Sequence, residues 1–204
     1  MFHIKKYLTE FIATGLFALA IALAAFNPAF IAAPLVAGIT LALFVYMFGS
    51  ISGTHINPAV TLGLLSIRKI STRDAAGYII AQILGALAAL LIGRMFQSAV
   101  GTLPAQSLSL ATGLAEFVGA AVFGMGIAAV VYGKVSEKLS GVVIGGSLLI
   151  GIAIAASAAS LGILNPAVAL TLGAFSLPYV LGPIAGMVIG MQFYKWISHV
   201  KIAG

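Results

Sequence analysis

The run Asn57-Pro58-Ala59-Val60-Thr61-Leu62-Gly63 returns, slightly altered, as Asn165-Pro166-Ala167-Val168-Ala169-Leu170. Each copy places Asn where a helix N-cap belongs and Pro at the first helical position, which together mark a helix start. Each also follows a Gly/Ser-containing segment, Ser50 to His55 in one case and Ser157 to Gly162 in the other. Neither run is long enough to cross a bilayer. Asn57 to Ser66 is 10 residues, about 15 Å at ~1.5 Å per residue against a ~30 Å hydrocarbon core. Asn165 to Ser176 is 12 residues, about 18 Å. Two half-length helices at corresponding places in two chain halves predict a membrane site near the midplane.

Composition fixes the class. Of 204 residues, 62% are hydrophobic and 7% charged, where a soluble domain carries about 25% charge. The chain is therefore read as an integral membrane protein, with the lipid bilayer as its first partner. Cysteine is absent, which removes disulfides and thiol metal sites from consideration; no metal or cofactor is expected. The net charge of +6 comes from basic residues scattered singly and in pairs. That pattern signals topology, and no nucleic-acid partner is expected.

In order, Met1 to Lys6 is too short for a targeting extension, and the apolar run Tyr7 to Phe26 is read as span 1 because more apolar sequence follows at once. Asn27-Pro28-Ala29 is a third copy of the tripeptide, but it leads into a full-length span and is expected only to turn the chain. Further spans are expected at about Ile31 to Gly49, Ala75 to Phe96, Ala111 to Val131, Gly141 to Ala156 and Pro178 to Ile197. The uncharged loop Gln97 to Ser109 separates the halves, giving one domain, 1–204, built of two repeats at about 1–100 and 101–204.

The halves echo each other. Glu10 lies in Thr9-Glu10-Phe11-Ile12-Ala13-Thr14-Gly15 and Glu116 in Ala115-Glu116-Phe117-Val118-Gly119-Ala120, 47 and 49 residues before their respective Asn. Three spans per half force the second half to start on the opposite side, so the repeat is inverted. Lys5/Lys6, Arg68/Lys69/Arg73, Lys134/Lys138 and Lys195/Lys201 then share one side, leaving Arg94 near the other. The positive-inside rule puts that side, and both termini, in the cytoplasm.

The expected chemistry comes from helix ends. Each short helix presents a partial positive charge and unpaired N–H groups at its N-terminus. Inversion aims the two ends at each other. Each Asn is expected to spend its carbonyl oxygen on first-turn N–H groups while its NH₂ faces the lumen. A water or hydroxyl then meets two fixed donors, while cations and protons meet positive potential. The backbone of Gly53, Thr54 and His55, and of Leu161, Gly162 and Ile163, must be non-helical, which at membrane depth is tolerated where it lines a wet cavity. His55 is either a packing residue or pore lining through its carbonyl. Glu10 and Glu116 are either interfacial first-turn acids or buried acceptors. Gln82 is a polar group in a span with no evident partner, and Gly182, Gly186 and Gly190 are spaced for close helix packing.

The run Ser52 to Gly63 resembles the first signature loop of the major intrinsic proteins, the aquaporins and aquaglyceroporins, and Asn165-Pro166-Ala167 resembles their second. The resemblance implies an all-α membrane fold of six transmembrane helices plus two half-helices, multi-pass in the cell membrane, and a homotetramer with one pore per subunit. It implies that Glu10 and Glu116 brace the loops. It also implies an outer constriction at positions that count, ungapped from the motifs, to Ala37, Ala153, Gly162 and Val168. The family usually has an aromatic ring, His and Arg among these, with Arg directly after the second Asn-Pro-Ala; here all four are small or apolar. That fits a passive channel for water and small uncharged solutes of the glycerol, urea, ammonia or hydrogen peroxide type. Aquaglyceroporins commonly carry Asp after the Arg, where Ala169 stands here. An inverted-repeat secondary transporter and a closed-pore structural protein are the alternatives; no enzyme is expected, because no Ser-His or paired-Asp arrangement sits on adjacent spans.

Overall fold

In a bilayer every backbone N–H and C=O must find its partner within the protein, so a chain this apolar is confined to helices. The computed structural model of the protein describes residues 2–27, 31–96 and 109–198. They form α1 (Phe2–Phe26), α2 (Ala33–Ser52), α3 (Pro58–Ser66), α4 (Thr72–Phe96), α5 (Leu110–Val131), α6 (Ser140–Ala158), α7 (Pro166–Thr171) and α8 (Leu177–Ser198). One 3₁₀ turn, Glu137–Leu139, leads into α6. Six of the helices are long and apolar enough to span a membrane. The spans run one to five residues past several expected ends, because capping turns and polar flanking residues continue the helices. The loop expected to separate the halves, Gln97 to Ser109, lies outside the described residues apart from Ser109, as do Pro28, Ala29, His199 and Lys201. Asn27 follows the last turn of α1, its Nδ2 donating to the Leu23 carbonyl at 3.4 Å.

The order long, long, short, long occurs twice, and the packing repeats with it. α1 lies against α4 and α2, as α5 lies against α8 and α6; α3 packs on α8 and α7 on α4, so each short helix is held by the other half. α2 and α6 close the bundle. The second half is inverted. Tyr7 near the start of α1 donates to Asp74 at the start of α4 (2.8 Å), and Lys6 pairs with the same carboxylate at 2.8 Å. Lys69, just before α4, sits 4.9 Å above the ring of Tyr132, just after the end of α5. Thus α1 begins where α5 ends. Gln192 near the end of α8 donates to Ser66 O (2.7 Å), and Tyr46 near the end of α2 donates to Lys138 O (2.9 Å). The basic clusters therefore gather at one face.

Lipid supplies no hydrophobic drive for helix association, so close backbone approach takes its place. A Cβ added at Gly182, Gly186 or Gly190 would run into the backbone oxygen of Gly113, Phe117 or Ala121 on α5. The spacing of four puts all three on the stripe of α8 that meets α5. Outward faces are apolar too: Leu8, Ile12 and Leu16 of α1 are exposed, while Glu10 and Thr14 of the same helix are fully buried. The polarity of this protein is on the inside.

Candidate functional site

The two Asn side chains are N-caps, as their sequence context requires. Asn57 Oδ1 accepts from Ala59 N at 2.8 Å; Asn165 Oδ1 accepts from Ala167 N at 2.9 Å and Val168 N at 3.4 Å. Their amide groups differ from the expectation of an NH₂ turned wholly to the lumen. Asn57 Nδ2 donates to Leu164 O in the other half (2.9 Å), and Asn165 Nδ2 returns the bond to Ile56 O (3.1 Å). This pair of crossed bonds joins the two loops directly. An amide nitrogen carries two hydrogens, so each Asn keeps one N–H for a solute.

α7 is 6 residues long, half the expected 12, because the helix closes on itself at Leu172 and the chain turns at Gly173 (φ 71°). α3 has 9 residues. At α7 the positive potential therefore rests mainly on the capped first turn and the amide hydrogens of Asn165 rather than on a summed dipole.

The loops leading into these helices are held in unusual conformations. Gly53 and Gly162 take φ 83° and 68°, and Thr54, Ile56 and Leu164 take φ 52°, 42° and 53°. A non-glycine residue there costs about 1–3 kcal/mol and persists only where its surroundings over-determine it. Two buried carboxylates do so. Glu10 Oε1 accepts from Ser52 Oγ (2.7 Å) and His55 N (3.0 Å), and its Oε2 from Ile56 N (2.7 Å) and Gln82 Nε2 (2.9 Å). Glu116 accepts from Ser160 Oγ, from Ile163 N (2.9 Å) and from Leu164 N (2.7 Å). Both are fully buried, and neither lies in the first turn of its helix. Two serines extend the grip: Ser52 Oγ accepts from Thr54 N (3.1 Å) and Ser160 Oγ from Gly162 N (3.0 Å). With the N–H groups turned to carboxylates and hydroxyls, the loop carbonyls are left over. Among the described residues no protein donor is recorded for those of 53–55 or 161–163.

Gln82 has partners that the sequence did not reveal, Glu10 and the Thr61 hydroxyl (2.9 Å each). Thr61 Oγ1 also lies 3.2 Å from His55 Nδ1, and the His55 ring meets Tyr78 edge-on at 4.8 Å. His55 is thus fixed through its ring as well as its backbone.

Two cavities meet at this arrangement. One, of about 160 Å³, is lined by Ala37, Asn57, Asn165, Gly162, Leu161, Ile163 and Val168 together with Phe17 and Ile152. The other, of about 570 Å³, reaches Gly53 and Thr54 from the basic face and includes Tyr46, Glu137 and Ser140. Leu41, His55 and Phe123 line both and form the waist between them. Of the four expected constriction positions, Ala37, Gly162 and Val168 share the smaller cavity; Ala153 does not. It lies on the exposed side of α6, and Ile152, 5% exposed, takes the place on the wall. Residues 159–165 separate α6 from α7 whereas 53–57 separate α2 from α3; an ungapped count takes no account of loop length, and a one-residue slip turns a helix position by about 100°. Pro58, Ala59, Pro166 and Ala167 are buried in the first turns of the short helices, beside the caps.

Sequence reasoning missed the crossed amide bonds, the serine relays and the waist. The serines had a readable signal: Ser52 and Ser160 both stand five residues before their Asn.

Six spans, two short helices meeting at their N-termini and two adjoining cavities beside them define an integral membrane protein with a central conduit-shaped site. The chain belongs to the major intrinsic protein family, whose profile matches residues 1–194. It is similar to the glycerol uptake facilitator protein-like 6 of Lactiplantibacillus plantarum, 40% identical over 129 residues, 58% of each chain. The chain therefore spans little more than half the length of that relative. Aquaporin AqpM of Methanothermobacter marburgensis is 33% identical over 183 residues, 79% of this chain and 74% of that protein. The X-ray structure of the aquaglyceroporin from Plasmodium falciparum superposes with a TM-score of 0.70 over 97% of both chains at 22% identity, a likeness of fold.

The carboxylate bonds make a direct prediction. Glu116→Gln keeps shape but turns an NH₂ toward loop N–H donors, leaving at least one of Ile163 N and Leu164 N unpaired. Thermal unfolding in detergent should show a loss of about 1–3 kcal/mol; an unchanged midpoint would mean that the loop holds itself without Glu116.

Proposed function

We propose that this protein is a passive transmembrane channel for water and small uncharged solutes of the glycerol, urea, ammonia or hydrogen peroxide type. The observation that carries the reading is the meeting of two Asn-capped helix ends, joined by crossed amide bonds, on the wall of the smaller of two cavities that share Leu41, His55 and Phe123. A solute passing that point finds one free N–H on each Asn and a row of loop carbonyls, replacing bonds it gives up to water. A cation finds the positive ends of helices and amide hydrogens. The printed names of the relatives, a glycerol facilitator and an aquaporin, support the same reading. A coupled transporter usually needs charged groups in its lumen, whereas the two carboxylates beside this site are spent on loop N–H groups.

The selective part of the conduit is assigned to Ala37, Ile152, Gly162 and Val168, with Asn57 and Asn165 as its donors and the carbonyls of Gly53, Thr54, His55, Leu161 and Ile163 as its acceptors. The gathering of the basic clusters on one face supports cytoplasmic termini in a cell membrane. A homotetramer is the assembly proposed, supported by family membership. A C-terminal tag should be unreachable from outside intact cells and crosslinking in the bilayer should stop at four subunits; an exposed tag or monomers alone would contradict the respective point.

The function itself is tested by stopped-flow light scattering on proteoliposomes against a panel of neutral solutes. Saturable, gradient-coupled uptake would favour a transporter, and absence of all flux a structural role. In the same assay Val168→Arg adds a long side chain with five N–H donors to the wall. It should lower the ratio of glycerol to water permeability by roughly ten-fold. A ratio that stays put in a folded variant would remove position 168 from the constriction.

A further inference from the structure

Three helices end in the same turn. After α3, Arg68 N donates to Leu65 O (3.0 Å) and Lys69 N to Leu64 O (2.9 Å). After α5, Gly133 N donates to Val130 O and Lys134 N to Ala129 O (2.9 Å each). After α7, Gly173 N donates to Leu170 O (3.2 Å) and Ala174 N to Ala169 O (2.9 Å). The turn needs a left-handed residue at its pivot. Gly133 and Gly173 supply it at φ 68° and 71°, without steric cost. At the end of α3 the pivot is Arg68, with φ 63°. Its side chain is exposed, so packing inside the bundle does not account for a strain that glycine would relieve.

Arg68 stands in a patch of positive charge. The next residue, Lys69, has its Nζ 4.9 Å above the Tyr132 ring. That contact sets the ends of α3 and α5 side by side and brings Lys134, two residues past Tyr132, to the same patch. Gln192 bonds Ser66 O, so the end of α8 adjoins it, with Lys195 one turn further on. The two acids of this face are placed elsewhere: Asp74 is held by Lys6 and Tyr7, and Glu137 lines the larger cavity. Running from the patch toward the bilayer, Ile189, Phe193 and Trp196 are exposed on α8, at the spacing of one helix face. An aromatic residue such as Trp196 marks the level of the headgroups. Cations at the helix ends and apolar surface below them complement the two parts of an anionic lipid, its phosphate and its chains.

We propose that Arg68, Lys69 and Lys134 clasp the phosphate of an anionic lipid whose chains lie along Ile189, Phe193 and Trp196. Arginine suits the pivot because its guanidinium can take two phosphate oxygens at once. The site lies outside the conduit and does not depend on which solutes pass. In dodecyl maltoside, the thermal midpoint of wild type should rise with added phosphatidylglycerol. It should stay put with phosphatidylcholine, or with inorganic phosphate at the same concentration. Arg68→Gly should leave the lipid-free midpoint no lower than wild type, since Gly takes this turn freely. It should nevertheless need about five-fold more phosphatidylglycerol for half of the shift. Lys134→Gln, which leaves the backbone turn alone, should show the same five-fold loss. Lys138→Gln removes an equal charge from the same face and should need less than about two-fold more. Equal losses in all three variants would mean a diffuse surface field and overturn the proposal. So would an equal rise with phosphatidylcholine, a rise with inorganic phosphate alone, or a titration unchanged in Lys134→Gln. A lower lipid-free midpoint in Arg68→Gly would make Arg68 a brace of the fold and overturn its part in the clasp.

Discussion

Backbone N–H groups in the middle of a membrane have no water to turn to, and two short helices that stop at mid-depth create a stretch of them on each approach. Glu10 and Glu116 answer that constraint. Each carboxylate collects consecutive loop N–H groups, and each is backed by a serine that takes one more. Without those acceptors the left-handed turns at Ile56 and Leu164 would have no reason to persist. With them, the donors of each loop point into the protein and its carbonyls are left for whatever fills the conduit. The crossed bonds between Asn57 and Leu164, and between Asn165 and Ile56, then set the distance between the loops. Site and fold are one network: the helices are packed at backbone distance so that these few polar groups stay dry on their outer side.

The two halves solve the same problem with different parts. In the first, Gln82 joins Glu10 to Thr61 and through it to His55, and Tyr78 donates to Ser52 O at 2.6 Å. In the second, Tyr179 accepts from Leu161 N at 3.1 Å and Thr171 donates to Ala86 O at 3.0 Å. The longer α3 sits with the richer polar network and the shorter α7 with the sparser one. The repeat conserves the constraint, carboxylate plus serine plus Asn cap, and leaves the surrounding packing free to diverge.

Much of this was legible from residue order. Asn followed by Pro announces a capped helix, ten or so apolar residues cannot span a bilayer, and scattered basic residues mark one face; from these came the six spans, the two short helices and the inverted repeat. What escaped depended on relations that a linear pattern does not encode. Ala153 follows from an ungapped count, which cannot see how α6 is turned; Ile152 is the residue on the cavity wall. The sequence carries the second short helix to Ser176, whereas Gly173 in a left-handed turn ends it sooner. The partner of Gln82 lies 72 residues away on α1, and no local rule links them. The NH₂ groups of the two Asn looked free because their acceptors belong to the opposite half.

The central claim is that the paired Asn caps make the conduit passable to neutral molecules and hostile to cations. Asn57→Asp and Asn165→Asp test it most directly, since each keeps the capping oxygen but exchanges amide hydrogens for a carboxylate facing the loop carbonyls of the opposite half. Cation leak through proteoliposomes, measured alongside water permeability, is the observable. The account predicts that both variants leak cations well above wild type while still passing water. Variants that pass water with a cation leak no greater than wild type would contradict it, and would locate the barrier elsewhere in the conduit.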